Sequence, residues 1–316
     1  MSSVLVESTL SDDERRARLY QGELFVYAPK PATREFVEFG RALIREAFGD
    51  LDPELAQYHM PVEDYAALLA ELKPRFIHHP TCKELLPAIL AEHGADLSKT
   101  YFDVPRLRTS TSDDYLTSGI AYAFHPHRDT WYSAPFCQLN WWMPIFDIVP
   151  ENGLAFHPRY FSQPVRNGSR DYDYYEWNAK NRASAAKHIR SDTRKQPKPE
   201  EEVEIFPQTR VVAPSGGMLI FSAAQLHSSV PNNSGRTRFS MDFRTVHLDD
   251  VLDHVGAPNV DSECTGTTMR DYLRATDLTT LPEELCLEYD DVPPKADALL
   301  VFGEAALGAR APLGTA

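Results

Sequence analysis

Long apolar runs are missing from this sequence. Its 316 residues contain no stretch of roughly 18 consecutive apolar side chains, so no segment is predicted to span a membrane. The first residues also lack a basic start followed by an apolar stretch, which is the pattern of a secretory signal. We therefore expect a cytoplasmic protein that has no membrane partner.

Cysteine pairs, net positive charge and nucleotide-binding motifs are also absent. The four cysteines (Cys82, Cys137, Cys264 and Cys286) lie far apart without a CxxC pair, which fits neither a disulfide framework nor a zinc site. The formal net charge of -14 argues against broad binding to nucleic acid phosphates, although a few local arginines could still bind a small anion. Because no GxGxxG or GxxxxGK[ST] motif occurs, the nucleotide-binding folds lose their main support.

Helical periodicity is concentrated in the first hundred residues. In the segment 33–48, Phe36, Phe39 and Leu43 recur at spacings of three and four, which places them on one face of a helix. The segments 65–72 and 86–93 repeat this spacing. Since amphipathic stripes usually face a core, we expect these helices mainly to support a sheet.

From about residue 101 the sequence is typical of short strands separated by turns. The predicted strands, rich in aromatic and β-branched residues, are 101–109, 119–124, 137–145, 154–157, 210–212, 218–221 and 238–246. Many short strands favour a mainly β fold with flanking helices over a βαβ fold. The predicted organisation is one domain: residues 1–100 form a helical region, 101–250 form the core with an insertion at 166–204 that has some helix, and 251–316 form an extension.

Two short stretches that lie 100 residues apart contain candidate metal ligands. On an extended segment residues i and i+2 point to the same side, so His127 and Asp129 can direct an imidazole and a carboxylate at one point. His227 could supply a second imidazole, which completes two histidines and one carboxylate, the facial arrangement of non-haem Fe(II) oxygenases. His125 competes with His127 as the first ligand, but only His127 has an aspartate two residues later.

A strand that follows His227 has charged residues on one face. Alternation places Arg238, Ser240, Asp242 and Arg244 on the same side. A buried arginine is costly unless it meets an anion, and its guanidinium suits a carboxylate held by two hydrogen bonds, with Ser240 as an added donor. The alternative is an internal ion pair between Arg238 and Asp242, and the sequence leaves both interpretations open.

The spacing His127-x-Asp129, then His227, then Arg238 eleven residues later resembles the motif of the Fe(II)/2-oxoglutarate-dependent oxygenases. More narrowly, it resembles their phytanoyl-CoA dioxygenase-like branch. The resemblance covers roughly residues 100–250 and includes Trp142, followed eleven residues later by Gly153. This chain departs from the branch at 158–160, where it has Pro-Arg-Tyr in place of Pro-Gly-Ser/Thr-His.

The resemblance implies a double-stranded β-helix (jelly-roll) core with iron bound by His127, Asp129 and His227. Arg238, assisted by Ser240, would hold the distal carboxylate of 2-oxoglutarate. Further candidate contacts of this co-substrate are Gln138, Asn140 and Trp142. The implied reaction consumes O2 and releases succinate and CO2 while a C–H bond of a small metabolite, such as one of secondary metabolism, is hydroxylated. Because Asp129 is present, we expect oxygenation and not halogenation.

The substrate contacts are less well defined by the sequence. Candidate residues are Trp131, Tyr132, Tyr175 and Trp177. The acidic and aromatic insertion could form a lid that favours an amine, or it could be a solvated loop anchored by its aromatic residues. Two other functions stay open: a cupin-like metalloenzyme that does not use 2-oxoglutarate, and a non-catalytic β-sandwich binding module.

Overall fold

A computed structural model describes residues 3–121, 125–181, 185, 187–189, 192, 194–290 and 298–302. The strands are β1 (Val4–Val6), β2 (Leu24–Tyr27), β3 (Thr100–Phe102), β4 (Arg106–Ser110), β5 (Leu139–Pro144), β6 (Leu154–Phe156), β7 (Thr209–Val211), β8 (Met218–Ser222), β9 (His227–Ser229), β10 (Arg238–His247) and β11 (Leu273–Arg274). The α-helices are α1 (Asp12–Leu19), α2 (Pro31–Phe48), α3 (Val62–Ile77), α4 (Pro80–Glu92), α5 (Tyr174–Glu176), α6 (Leu248–Leu252) and α7 (Glu283–Tyr289). Within the described ranges, no helix combines the length and the apolar character that crossing a membrane requires.

The strands form two sheets. Over the described residues, the larger sheet has eight strands in the order β1-β2-β8-β5-β10-β3-β11, and β4 also pairs with β10. The smaller sheet has the order β7-β6-β9. All of these pairs are antiparallel except β1 with β2. Sheets with flanking helices confirm the predicted fold class at this level.

Helix α2 shows how the helical region covers the larger sheet. It begins at Pro31, where the missing N–H costs no helical hydrogen bond, and ends before Gly49, whose φ of 61° suits glycine. Its buried stripe includes Phe36 and Phe48, and the Phe48 ring lies 5.9 Å from that of Phe239 on β10. The predicted helices at 33–48, 65–72 and 86–93 are therefore confirmed as α2, α3 and α4.

Strand β10 separates an apolar layer from a polar one. Its side chains alternate, and those on the helix side are completely buried: Phe239, Met241 and Phe243. The opposite side has the polar residues Arg238, Ser240, Asp242 and Arg244, as predicted from the alternation. A smaller apolar core fills some of the space between the two sheets, formed by Leu24, Trp142, Ile148, Leu154, Phe156, Val211, Leu219 and Phe221. The polar face of β10 thus lies on the same side of the larger sheet as this smaller apolar core.

Some strand predictions were wrong in detail. The predicted strand 101–109 is split into β3 and β4, because Pro105 has no N–H to donate to a ladder. Of the predicted strand 119–124, Gly119–Ala121 is a 3-10 turn, and 122–124 lie outside the described residues. Four short strands were not predicted: β1, β2, β9 and β11.

Short helical turns lie within the predicted insertion. Residues 166–204 include the short helical turns Ser169–Asp171, Tyr174–Glu176 and Trp177–Asn181. All four cysteines are free thiols. The organisation of the chain as one domain, with the helical region, core, insertion and extension given above, stays a prediction.

Candidate metal centre

His127 and His227 are fixed to each other by their backbones. The N–H of His127 donates to the carbonyl of His227 at 2.9 Å, and the N–H of His227 donates to the carbonyl of His127 at 2.9 Å. This isolated bridge extends the edge of β9, and it brings the two imidazole centroids to 4.4 Å. Two residues that are 100 positions apart in the sequence thus lie side by side.

The two imidazole rings are held in the same tautomer. Nδ1 of His127 lies 2.9 Å from the carbonyl of His125, and Nδ1 of His227 lies 3.0 Å from the carbonyl of Gln225. Since a carbonyl only accepts, each Nδ1 carries the hydrogen and each Nε2 presents its lone pair. Burial, with the charge of His127, lowers the pKa of His227 to about 4, so this ring is neutral at pH 7.

Asp129 places a carboxylate beside the two rings. Its Oδ1 lies 3.5 Å from Nε2 of His127. Burial opposes ionisation, but the contact with His127 and the charge of Arg244 lower the pKa of Asp129 well below its usual range. One ligand atom from each of His127, Asp129 and His227 lies within 4.8 Å of the others. Two imidazoles and one carboxylate on one side of a site suit Fe(II), with positions left for other ligands.

His125, the competing ligand, does not belong to this cluster. Its Nε2 lies 2.7 Å from the carbonyl of Pro197 in the insertion. Its backbone carbonyl orients the His127 ring instead. The choice of His127 on the basis of the following Asp129 therefore agrees with the geometry of the described residues.

A chain of amides and a hydroxyl orients the carboxylate. Nδ2 of Asn140 donates to Oδ2 of Asp129 at 2.8 Å. Nε2 of Gln138 donates to Oδ1 of Asn140 at 2.9 Å, and the hydroxyl of Tyr272 donates to Oε1 of Gln138 at 2.6 Å. Each amide thereby has a fixed orientation. Because Asn140 occupies Oδ2 of Asp129, Oδ1 is left to face the two imidazoles, and the sequence did not indicate that Asn140 would orient this carboxylate.

Replacement of Asn140 by alanine is expected to weaken binding of Mn(II) or Fe(II) about 10–100-fold, because the ligating carboxylate loses its orienting hydrogen bond. Titration calorimetry under anaerobic conditions measures this affinity. Asn233→Ala is the matched control, since Asn233 is an exposed asparagine on the turn before β10. Equal metal affinity in Asn140→Ala and Asn233→Ala would contradict the assigned role.

Arg128, between the two ligand positions, is buried and anchors the turn. Its guanidinium donates to the carbonyls of Ala224 at 2.6 Å and of Gln163 at 3.0 Å, and to Asp261 at 3.1 Å. Asp261 also accepts from the indole of Trp131 at 2.7 Å. The extension 251–316 thus contributes a carboxylate that braces the turn that carries His127 and Asp129.

Arg238 is buried without a carboxylate partner among the described residues. Its Nη1 donates to the carbonyls of Asn152 at 2.9 Å and Gly153 at 3.1 Å, and its Nη2 donates to Oγ of Ser229 at 3.2 Å. Its Nε is buried and has no hydrogen-bond partner. Burial lowers the pKa of Arg238 to about 10, and Asp242 only partly offsets this effect.

The alternative in which Arg238 pairs with Asp242 is not the arrangement found. Asp242 accepts two hydrogen bonds from Arg108 instead, at 2.5 and 3.1 Å. Arg238 therefore faces the cavity as a buried cation, and its guanidinium lies 5.8 Å from the centroid of Trp142. A buried guanidinium with an unpaired N–H is the expected mark of a position that receives an anion.

One cavity of about 620 Å³ connects these groups, and its walls are drawn from both sheets, the insertion and α3. The predicted site residues that line it are His127, Asp129, Tyr132, Asn140, Trp142, Trp177, His227 and Arg238. Sequence reasoning missed the contribution of α3, which was expected only to support the sheet. Lys73 and Ile77 of this helix line the cavity wall, and polar positions on an amphipathic helix give no signal of that kind.

Other predicted residues lie elsewhere. Trp131 is completely buried, packs with Tyr160 and Leu226 and is not part of the described cavity lining, and its role as a substrate contact stays a prediction. The hydroxyl of Tyr175 accepts from Arg270, outside the cavity lining.

Two predicted co-substrate contacts are also outside the cavity lining. Gln138 is buried behind Asn140, and Ser240 is buried with its hydroxyl unpartnered in the described structure. Tyr132 by contrast stands edge-on to His127, with ring centroids 5.6 Å apart.

Comparison with known proteins identified similar solved structures, whereas no family model and no curated protein matches the chain. EvdO2 from Micromonospora carbonacea var. aurantiaca, complexed with 2-oxoglutarate, is 13% identical over 76% of this chain and 92% of that chain (TM-score 0.43). The epimerase SnoN in complex with Fe3+, alpha ketoglutarate and nogalamycin RO is 15% identical over 75% and 85% (TM-score 0.39). AviO1 from Streptomyces viridochromogenes Tue57 is 15% identical over 80% and 99% (TM-score 0.38). At these values the functional assignment depends on the geometry of the site.

Proposed function

We propose that this chain is an Fe(II)- and 2-oxoglutarate-dependent oxygenase of the phytanoyl-CoA dioxygenase-like branch, acting on a small molecule. The observation that carries the proposal is one cavity that contains both the His127, Asp129 and His227 cluster and the buried Arg238. A metal site alone would fit many metalloenzymes. A guanidinium in the same cavity that is not paired with a carboxylate of the protein suits a co-substrate that has two carboxylates.

His127, Asp129 and His227 would hold the iron, since their donor atoms are two imidazole nitrogens and one carboxylate oxygen. Arg238 would bind the distal carboxylate of 2-oxoglutarate through its cavity-facing N–H groups, with Trp142 below the guanidinium. When bound, iron with 2-oxoglutarate and O2 supplies the oxidation of an unactivated C–H bond, with succinate and CO2 released.

Residues of this chain orient the three candidate ligands and line the cavity around them. Asn140 fixes the Asp129 carboxylate, and the carbonyls of His125 and Gln225 fix the two imidazoles. The apolar side chains of Phe221 and Leu154 line the cavity beside the cluster and exclude water. Asp129 occupies the position that halogenating relatives leave open for a halide, so we propose hydroxylation of the substrate.

The proposal extends to the architecture. The two facing sheets would be a distorted jelly-roll, with the cavity in one mouth and β9 and β10 on its walls. We also propose that the chain acts as one oxygenase domain in the cytoplasm.

The test is anaerobic loading of the full chain with Fe(II) and 2-oxoglutarate, followed by O2 and measurement of succinate across a panel of small metabolites. We expect succinate formation that requires both Fe(II) and 2-oxoglutarate and that rises with one class of metabolite. Metal binding without any consumption of 2-oxoglutarate would favour a cupin-like metalloenzyme. If the chain binds no metal, the remaining alternative is a non-catalytic binding module.

A further inference from the structure

The cavity has a charge of opposite sign to the chain as a whole. Although the chain has a formal net charge of -14, the described lining of the cavity has six lysine or arginine side chains and two aspartates. The cationic side chains are Lys73, Arg106, Arg108, Arg194, Arg238 and Arg244. Such an excess of cations around one interior space favours anions where the cations are not already paired.

Most of these cations are neutralised by carboxylates of the protein. Arg106 lies 2.6 Å from Asp103, which is also 3.5 Å from Arg244. Arg194 pairs with Asp192. Arg108 is paired with Asp242, as described above. Among the described residues, the lining cations without an ion pair are Arg238 and Lys73.

Lys73 is not explained by the proposed co-substrate site. It lies on α3 and is partly buried, and its ammonium donates to the carbonyl of Ile120. Burial and the nearby charge of Arg108 lower its pKa to about 7. Arg238, by contrast, lies on β10 and contacts Asn152, Gly153 and Ser229. The two unpaired cations are therefore held by different elements and can receive two different anionic groups.

Asp171 and Asp173 of the insertion do not offset the charge of the cavity lining. Asp173 accepts from the N–H of Glu176 as the cap of α5, and Asp171 is exposed, so neither lines the cavity. Trp177 does line it, but the guanidinium of Arg194 lies over its ring at 4.9 Å. A cation is already in the position where an amine-bearing substrate would contact this ring.

We propose that Lys73, next to Arg108, binds an anionic group of the substrate, so that the substrate of this cavity is an acid that carries a carboxylate, phosphate or sulfate. This inference rests on the proposed function, because it assigns the remaining space of the same cavity to the molecule that is oxidised. It differs from the amine substrate that a lid formed by the acidic and aromatic insertion would favour, which was one of the two interpretations open from the sequence.

A matched pair of dyes tests the inference without metal or co-substrate. The probes are 1-anilinonaphthalene-8-sulfonate and the neutral N-phenyl-1-naphthylamine, which have the same rings and differ in the sulfonate. In fluorescence titrations of the full chain, Lys73→Met is expected to weaken sulfonate binding about tenfold, the effect of losing a partly buried charge contact, and to leave neutral binding unchanged. Lys73→Arg is expected to restore most of the sulfonate affinity.

Lys180→Met is the control, because Lys180 is an exposed lysine of the insertion outside the cavity lining. It should bind both dyes as the unmodified chain does. Equal sulfonate affinity in Lys73→Met and the unmodified chain would overturn the inference, and so would an equal loss of both dyes. The neutral dye also reports whether the cavity survives the substitution.

Succinate assays with acids and their methyl esters separate the two proposals. Stimulation by acids and not by their esters supports both. If esters alone stimulate succinate formation, the substrate is not anionic but the proposed oxygenase function stands. If no compound yields succinate, the oxygenase function is wrong. The dye titrations then test the anion site at Lys73 by themselves.

Discussion

Replacement of Asp129 by alanine is expected to abolish 2-oxoglutarate turnover and to weaken Fe(II) binding by more than about 100-fold, which is the upper range for loss of an outer-shell partner alone. The carboxylate is the single anionic ligand of the cluster, so its loss removes both a donor atom and the charge that offsets the metal. The two imidazoles stay in place, because backbone hydrogen bonds join His127 to His227.

Anaerobic metal titration and succinate measurement check this expectation. Asp253→Ala is the control, since Asp253 is an exposed aspartate at the end of α6 and outside the cavity lining. Circular dichroism shows whether each variant folds. Stoichiometric Fe(II) binding that survives both Asp129→Ala and His227→Ala would mean that the metal lies elsewhere.

The second large effect is expected for Arg238→Gln, which should raise the KM for 2-oxoglutarate by about 100-fold or more, the range for removing one partner of a buried ion pair. Metal affinity should not change, because Arg238 contacts Asn152, Gly153 and Ser229 and none of the three metal ligands. Arg238→Lys should recover only some of the loss, since an ammonium cannot bind a carboxylate through two parallel hydrogen bonds.

Initial rates at varied 2-oxoglutarate, with Fe(II) saturating, give this KM. Arg236→Gln is a close control, because Arg236 lies two residues earlier and is exposed beside Glu54. A KM that stays the same in Arg238→Gln would disprove the co-substrate role and leave a metalloenzyme that does not use 2-oxoglutarate.

Periodicity alone was sufficient for the elements with a strong pattern. Helix α2 was predicted from the spacing of Phe36, Phe39 and Leu43, and β10 from the alternation that begins at Arg238. Strand β2 was missed because four residues give too little pattern, and it exists through pairing with β8, about 190 residues later. The break between β3 and β4 has a local cause in the sequence, because Pro105 cannot donate a backbone hydrogen bond to a ladder.

For the site, the sequence was informative where ligands lie close together or follow a regular alternation. The spacing of His127 and Asp129 identified two candidate ligands, and alternation placed Arg238 and Asp242 on one face. It could not show that Arg108 would bind Asp242, because β4 meets β10 only in the folded chain. Nor could the sequence show that Trp131 lies outside the cavity lining, because its hydrogen-bond partner Asp261 is 130 residues away in the sequence.

The reciprocal backbone bridge between His127 and His227 would couple metal binding at the proposed site to folding. In the unfolded chain these ligands are separated by 100 residues, so an ion that binds the assembled cluster binds the native state and hardly the unfolded one. By mass action such an ion adds about 2.7 kcal/mol to the free energy of unfolding when its free concentration is 100 times its dissociation constant. If the proposed function holds, metal supply would therefore affect the lifetime of this protein, because metal-free molecules would unfold more often and reach proteases sooner.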